Sequence, residues 1–124
     1  MRASIKDLPV IVDAPTVTIR AIKWGNMMVE VGDSHQKGNA SAANFRGLPD
    51  DRCQCPHWGY VIKGQMRYKY ADHEETYGAG DLFFMPPGHG PFAADAGCQW
   101  IDFSPFDEYS KTMEVVLRNV KAPK

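Results

Sequence analysis

Two thiols and an imidazole alternate along the segment Cys53–His57. Thiolate sulfur and imidazole nitrogen are good ligands for zinc and related metal ions. Because alternate residues of a strand share a face, spaced about 7 Å apart, we expect Cys53, Cys55 and His57 to project to one side. Pro56 cannot donate to a β-ladder, so we expect an edge or a bend there that brings Cys55 and His57 closer. The spacing predicts a metal site.

Each of these residues also has an ordinary structural explanation. Cysteines often serve as small buried apolar residues, and a histidine such as His57 can be a hydrogen-bonded core residue. A disulfide between Cys53 and Cys55 would close a tiny, strained loop and would be unusual in a reducing compartment. The alternation of all three donors favours the metal site over these alternatives.

A second cluster, Gly80–Pro91, places one histidine after a rigid turn. The apolar run Leu82–Met85 stops at two prolines and a glycine, and His89 follows directly. Such residues hold the backbone still, which suits a side chain that must be aimed. An exposed turn histidine would show the same pattern, so both interpretations of His89 stay open.

The composition limits the classes of protein to consider. The 124 residues suffice for one domain, and 44% apolar with 23% charged residues is typical of a globular protein. A formal net charge of -1 argues against a nucleic-acid binder that neutralises phosphates. The sequence has no long apolar span and no signal-peptide pattern at its start. We expect a single cytoplasmic domain over residues 1–124, with neither nucleic acid nor membrane as a partner.

Short segments bounded by turn residues predict strands between residues 16 and 103. These segments are Thr16–Ile22, Asn26–Val31, Tyr60–Lys63, Met66–Tyr70, Leu82–Met85 and Cys98–Phe103. The dipeptide Gly64-Gln65 predicts a tight hairpin between the third and fourth of them. Ser34–Ala43 is predicted to be a loop and Ala71–Glu75 a charged turn. Many short strands at regular spacing indicate a sandwich or a barrel.

The chain changes its period after the last predicted strand. Ser104 and Pro105 have the pattern of a helix N-cap followed by a first-turn proline. Apolar residues then recur at helical spacing, which predicts one amphipathic helix over about 105–120. They are Phe106, Tyr109, Met113, Val116, Leu117 and Val120. The apolar face must be covered by the barrel or by a second subunit.

The first cluster resembles the first half of the cupin signature. That motif has two histidines at HxH, a later glutamate and a closing glycine. Here Cys53-Gln54-Cys55 stands where HxH would be, and Gly64 is the closing glycine. His57 lies seven residues before Gly64 and so occupies the place of the glutamate by count.

The second cluster resembles the second half, G-x5-P-x-G-x2-H. Gly80, Pro86 and Gly88 match it, Pro91 stands at the histidine position, and His89 is two residues earlier. An offset of two keeps the same face of a strand, so His89 can still point inward. The resemblance implies an all-β fold, a cupin-type double-stranded β-helix or jelly-roll barrel over about 16–103, with a metal in its mouth and one C-terminal α-helix.

The ligand set under this interpretation is Cys53, Cys55, His57 and His89. Two thiolates with imidazole favour zinc over the harder metals of His/Glu cupins. If all four residues bind, the tetrahedron is closed and the zinc is structural. If His89 is free, a position is open for water or substrate, and His89 is available as a general acid or base.

Two classes of function therefore remain open. One is a metal-dependent enzyme acting on a small molecule; the other is a non-catalytic ligand-binding or structural zinc module, or a metal-free cupin, because one barrel serves many activities. The exposed edges of a small open barrel predict a homodimer. Asp102, in the last strand, would be a functional hint if buried, but its register is not set by the sequence.

Overall fold

The computed structural model describes residues 1–36, 38–39 and 42–121. Within these ranges the chain forms ten strands, one α-helix and three short 3-10 turns. The first strands are β1 Val10–Asp13, β2 Val17–Trp24, β3 Met27–Ser34, β4 Gly38–Asn39 and β5 His57–Lys63. The later elements are β6 Gln65–Lys69, β7 Glu74–Gly78, β8 Leu82–Met85, β9 Gly90–Ala94, β10 Gln99–Pro105 and helix α1 Phe106–Lys121. The 3-10 turns cover Ile5–Asp7, Ala42–Phe45 and Pro49–Asp51.

The strands form two antiparallel sheets. The larger sheet has the order β1-β2-β3-β10-β5-β8, and the smaller has the order β4-β9-β6-β7. Several neighbouring strands, such as β3 and β10 or β4 and β9, are far apart in the chain, as in a jelly roll rather than a meander. The predicted all-β jelly-roll fold with one C-terminal helix is confirmed.

The core lies between the two sheets, where each strand alternates inward and outward residues. In β8, Phe83 and Met85 are buried while Leu82 and Phe84 are exposed. The large inward residue of β10 is Trp100, whose ring covers Gly32 of β3 so closely that a Cβ atom would have no room. The buried core residues are Val61, Met66, Tyr68, Tyr77, Phe83, Met85, Ala94, Cys98 and Trp100.

The hairpin predicted at Gly64-Gln65 is wrong. β5 pairs with β8 and β10 in one sheet, whereas β6 pairs with β7 and β9 in the other. Gly64 has a φ of 81°, and a Cβ there would lie 2.7 Å from the Cα of Cys98. The glycine therefore turns the chain from one sheet to the other, close against Cys98, instead of reversing it within a sheet.

Several predicted boundaries also shift. The barrel begins earlier, with β1, and β7 overlaps the charged turn predicted over Ala71–Glu75. β9 was not predicted, and it pairs with the two residues of β4 inside the loop predicted over Ser34–Ala43; Lys37, Ala40 and Ser41 of that loop lie outside the described residues. Helix α1 begins at Phe106 rather than Pro105, because the ladder between β10 and β3 extends to Pro105.

Helix α1 packs beside the 3-10 turn Ala42–Phe45 and the segment that carries Cys53 and Cys55. Tyr109, Met113 and Val116 of its apolar stripe belong to a cluster with Phe45, Cys53 and Cys55. Farther along, the side-chain amide of Asn119 donates to the carbonyls of Asn44 and Arg46, at 2.9 and 2.8 Å. The part of the stripe from Tyr109 to Val116 thus packs against the chain itself, on the side where the candidate metal ligands lie.

Candidate metal centre

Cys53, His57 and His89 bring three donor atoms together, all within 4.8 Å of one another. Cys53 and His89 face each other in an isolated antiparallel bridge, in which Cys53 N donates to His89 O at 2.7 Å. Gly88 N donates to Cys53 O at 2.9 Å and completes the bridge. His57 opens β5, and its Nε2 lies 3.8 Å from Cys53 Sγ.

The continuous strand expected over Cys53–His57 is therefore wrong. β5 starts at His57, and Cys53 is held by the bridge to His89 rather than by a sheet ladder. Pro56 has no N–H with which to continue a ladder toward Cys53. Convergence of the donors thus results from a bridge between the two sequence clusters and not from alternation along one strand.

Cys55 lies outside the group of three. It is buried, and its Sγ is 3.5 Å from the carbonyl of Pro56, to which the thiol donates. It belongs to the apolar cluster that Tyr109 of α1 joins. Of the four residues predicted from the sequence, the structure brings Cys53, His57 and His89 together, while Cys55 is beside them.

The donor spacing suits a tetrahedral zinc ion. With Zn–S and Zn–N bonds of about 2.3 and 2.1 Å, a sulfur and a nitrogen ligand of a tetrahedral ion are about 3.6 Å apart. The 3.8 Å between Cys53 Sγ and His57 Nε2 is close to this value. The donor types and this distance therefore fit such an ion, and the other donor pairs lie no more than 4.8 Å apart.

Hydrogen bonds set both histidine tautomers for metal binding. His89 Nδ1 lies 2.9 Å from Pro86 O, and since a carbonyl only accepts, Nδ1 carries the proton. His57 Nδ1 is 2.6 Å from Ser104 Oγ, and that hydroxyl donates to Asp102 Oδ1 at 3.4 Å. His57 Nδ1 must then be the donor to Ser104. Each ring consequently keeps Nε2 unprotonated, as a metal ligand requires.

Burial sets the charges of these groups. It lowers the pKa of His57 to about 3, with a further lowering from the neighbouring imidazole of His89, and it also lowers the pKa of His89. Burial raises the pKa of Cys53 to about 12. At neutral pH both imidazoles are therefore neutral and the thiol is protonated. An ion that binds here must displace the proton of Cys53.

Two buried carboxyl groups beside the centre were not predicted as a pair. Asp102 of β10 lies opposite Glu30 of β3, and both side chains are buried. Asp102 Oδ1 is 3.6 Å from His57 Nδ1, and Glu30 Oε2 accepts a 2.7 Å hydrogen bond from Tyr109 OH. Burial raises the pKa of both carboxyls, and the charge of Glu30 raises that of Asp102 further.

Only part of the evidence for the buried carboxyl pair is visible in the sequence. Asp102 alternates with Trp100 and Ser104, so a large aromatic facing inward would have placed Asp102 inside as well. Glu30 stands alone in a run of apolar residues from Met27 to Val31, which is a local anomaly. Their juxtaposition depends on the register between β3 and β10.

Comparison with known proteins agrees with this architecture. The family model described as an AraC-like ligand binding domain matches residues 56–94. A search of curated protein sequences gave no significant match. No described helix has the length and apolar character needed to cross a membrane.

Solved structures match over most of the chain. An RmlC-like cupin from Shewanella frigidimarina NCIMB 400 superposes with a TM-score of 0.62 at 13% identity, covering 83% of this chain and 87% of its own. The polyketide cyclase RemF from Streptomyces resistomycificus gives 0.62 at 18% identity, with 86% and 79% covered. KdgF from Halomonas sp. gives 0.59 at 16% identity, with 82% and 90% covered. The fold of this chain is therefore a cupin-like jelly roll.

Proposed function

We propose that this protein is a metal-dependent cupin that holds a zinc ion through Cys53, His57 and His89 and binds a small molecule at the ion. The observation that carries the proposal is the convergence of one thiol and two correctly tautomerised imidazoles within 4.8 Å. Sulfur together with nitrogen donors favours zinc over manganese or magnesium. Three protein ligands leave a fourth position for water or for a ligand atom.

The chain's own residues prepare this site before an ion arrives. The bridge between Cys53 and His89 fixes two ligands, and Ser104 orients the third. A zinc ion held there would supply Lewis acidity, moderated by the negative charge of the Cys53 thiolate. The group that occupies the fourth coordination position of the ion determines whether the protein converts its bound molecule or only holds it.

The match to a ligand-binding family supports a small-molecule partner. The matched residues 56–94 include His57 and His89 and the strands that connect them. The competing proposal is a closed structural zinc site in which Cys55 supplies the fourth ligand. One observation favours it: Cys55 is buried only two residues from Cys53, and both are free thiols.

Metal analysis separates these proposals. Protein purified without a metal-binding tag is expected to contain about one zinc per chain, and Cys53→Ser is expected to lose most of it. Cys98→Ser is the matched control, because Cys98 is equally buried but packs against Gly64. X-ray absorption should show one sulfur and two nitrogen ligands. Two sulfurs, together with metal loss in Cys55→Ser, would establish the closed site, and a metal-free wild type would overturn both proposals.

We also propose that the protein is cytoplasmic and forms a homodimer. The three cysteines, all within the described residues, are unpaired thiols, which suits a reducing compartment. The larger sheet ends in β8 and the smaller in β7, and exposed strand edges of this kind favour self-association.

A further inference from the structure

The outer surface of the larger sheet carries an unusual group of exposed apolar side chains. Three neighbouring strands, β10, β5 and β8, contribute to it. Its members are between 38% and 83% exposed. We call this group the apolar sheet face, and it consists of Trp58, Tyr60, Ile62, Leu82, Phe84 and Phe103.

The strand register makes the apolar sheet face continuous. Trp58 lies opposite Phe84 on one side and Phe103 on the other, while Tyr60 lies opposite Leu82. The rings of Trp58 and Phe84 stack, with centroids 5.1 Å apart and planes inclined by 24°. All six side chains point away from the core, since the residues between them along each strand point inward.

We infer that the apolar sheet face is the surface through which a second copy of this chain binds, sheet against sheet. This inference rests on the proposed homodimer and places its interface on the outer face of the larger sheet, which includes the edge strand β8. Two flat sheet faces pack about 10 Å apart with their side chains interdigitated. The partner surface must itself be flat and apolar. Every other copy of the chain carries such a face, and it is present at the same concentration as the first.

The exposed area agrees with a dimer interface. With about 200 Å² of surface per large side chain, the exposed fractions of the six residues amount to about 600 Å² per copy. A standard interface buries about 800 Å² per partner, with an apolar centre and a polar rim. The face supplies an apolar centre of that size, and it exceeds the scattered exposed residues usual for a monomer.

The test is the molecular mass of the full chain in solution over a concentration series. Wild type is expected to sediment at about twice the 13.9 kDa of the chain. Leu82→Glu is expected to weaken dimerisation by at least tenfold, since it would bury a charge in the interface. Leu82 is 83% exposed within one copy, so the fold should tolerate the change. Ile62→Glu repeats the test on β5.

The matched control is Val10→Glu, which changes another exposed apolar residue of the same sheet, on the opposite edge strand β1. It is expected to dimerise like wild type.

A wild type that stays monomeric at every concentration overturns both the homodimer and this interface. A Leu82→Glu protein that dimerises as tightly as Val10→Glu overturns the interface alone. Monomeric wild type that floats with neutral lipid vesicles would assign the face to a membrane and likewise overturn the inference. Zinc content, measured in the same samples, tests the metal site separately.

Discussion

Glu30 and Asp102 lie directly opposite each other on β3 and β10, and both carboxyl groups are buried. Two carboxylates cannot both stay ionised at such a place without a large free-energy cost, so the pair retains a proton. On one side Tyr109 OH donates to Glu30; on the other, Asp102 accepts from Ser104, which positions His57. The pair therefore connects helix α1 to the candidate metal centre.

The pair makes stability depend on pH. Burial raises the folded-state pKa of Glu30 above its unfolded value of about 4.3, so the folded state binds more protons. Its contribution to stability is complete below that unfolded value and is lost as pH rises through the folded-state pKa, at up to about 1.4 kcal/mol per pH unit for each proton. We expect Glu30→Gln to reduce this slope. Urea unfolding of the metal-free protein across pH 4 to 8 measures it.

The control for this experiment is Glu108→Gln, at an exposed position of α1. Equal slopes for wild type and Glu30→Gln would mean that Glu30 does not hold a proton in the folded protein.

The hydrogen bond from Tyr109 to Glu30 should stabilise the attachment of the helix. Removing the hydroxyl in Tyr109→Phe leaves a buried carboxyl oxygen without its donor, at a cost of about 1–3 kcal/mol. Denaturant unfolding gives the free-energy difference. Ser110→Ala, which removes a hydroxyl at an exposed position of α1, should cost much less, and an equal loss in both variants would contradict the role of this bond.

Ser104 should determine how well His57 binds metal. Ser104→Ala removes the acceptor for His57 Nδ1, so the ring loses its orientation and its fixed tautomer. We expect a loss of about 10–100-fold in zinc affinity, measured by competition with a chelator. Ser34→Ala is the control, because Ser34 is also buried but donates to Gln36 O, away from the site. Unchanged affinity in Ser104→Ala would show that Ser104 does not position the ligand.

Gly32 should tolerate no side chain. Its Cα faces the ring of Trp100, and a Cβ atom would overlap Cζ2 of that ring. We expect Gly32→Ala to lower the free energy of unfolding by about 1–3 kcal/mol through overpacking. Gly78→Ala in β7 is the comparison, since the nearest atom to its Cβ is Asp81 Oδ2 at 3.8 Å. Thermal melting compares the stabilities of the two variants, and similar melting midpoints would contradict the predicted overlap at Gly32.

Local patterns in the amino-acid sequence specify the kinds of secondary-structure elements and the side-chain chemistry available. Alternation and turn residues predict most of the strands, and the apolar period predicts helix α1. The cupin-like motifs predict that His57 and His89 are ligands of one metal site. These signals are local, because each depends on the types and spacing of residues within one short segment.

Which distant residues meet depends on the packing of the folded chain. The bridge between Cys53 and His89, the place of Cys55 outside the donor group, and the pairing of Glu30 with Asp102 all depend on contacts across 36 or more positions of the chain. Strand order and register follow from the packing of the whole core, which no short segment encodes. For the same reason the Gly64 turn looked like a hairpin, although it carries the chain from one sheet to the other.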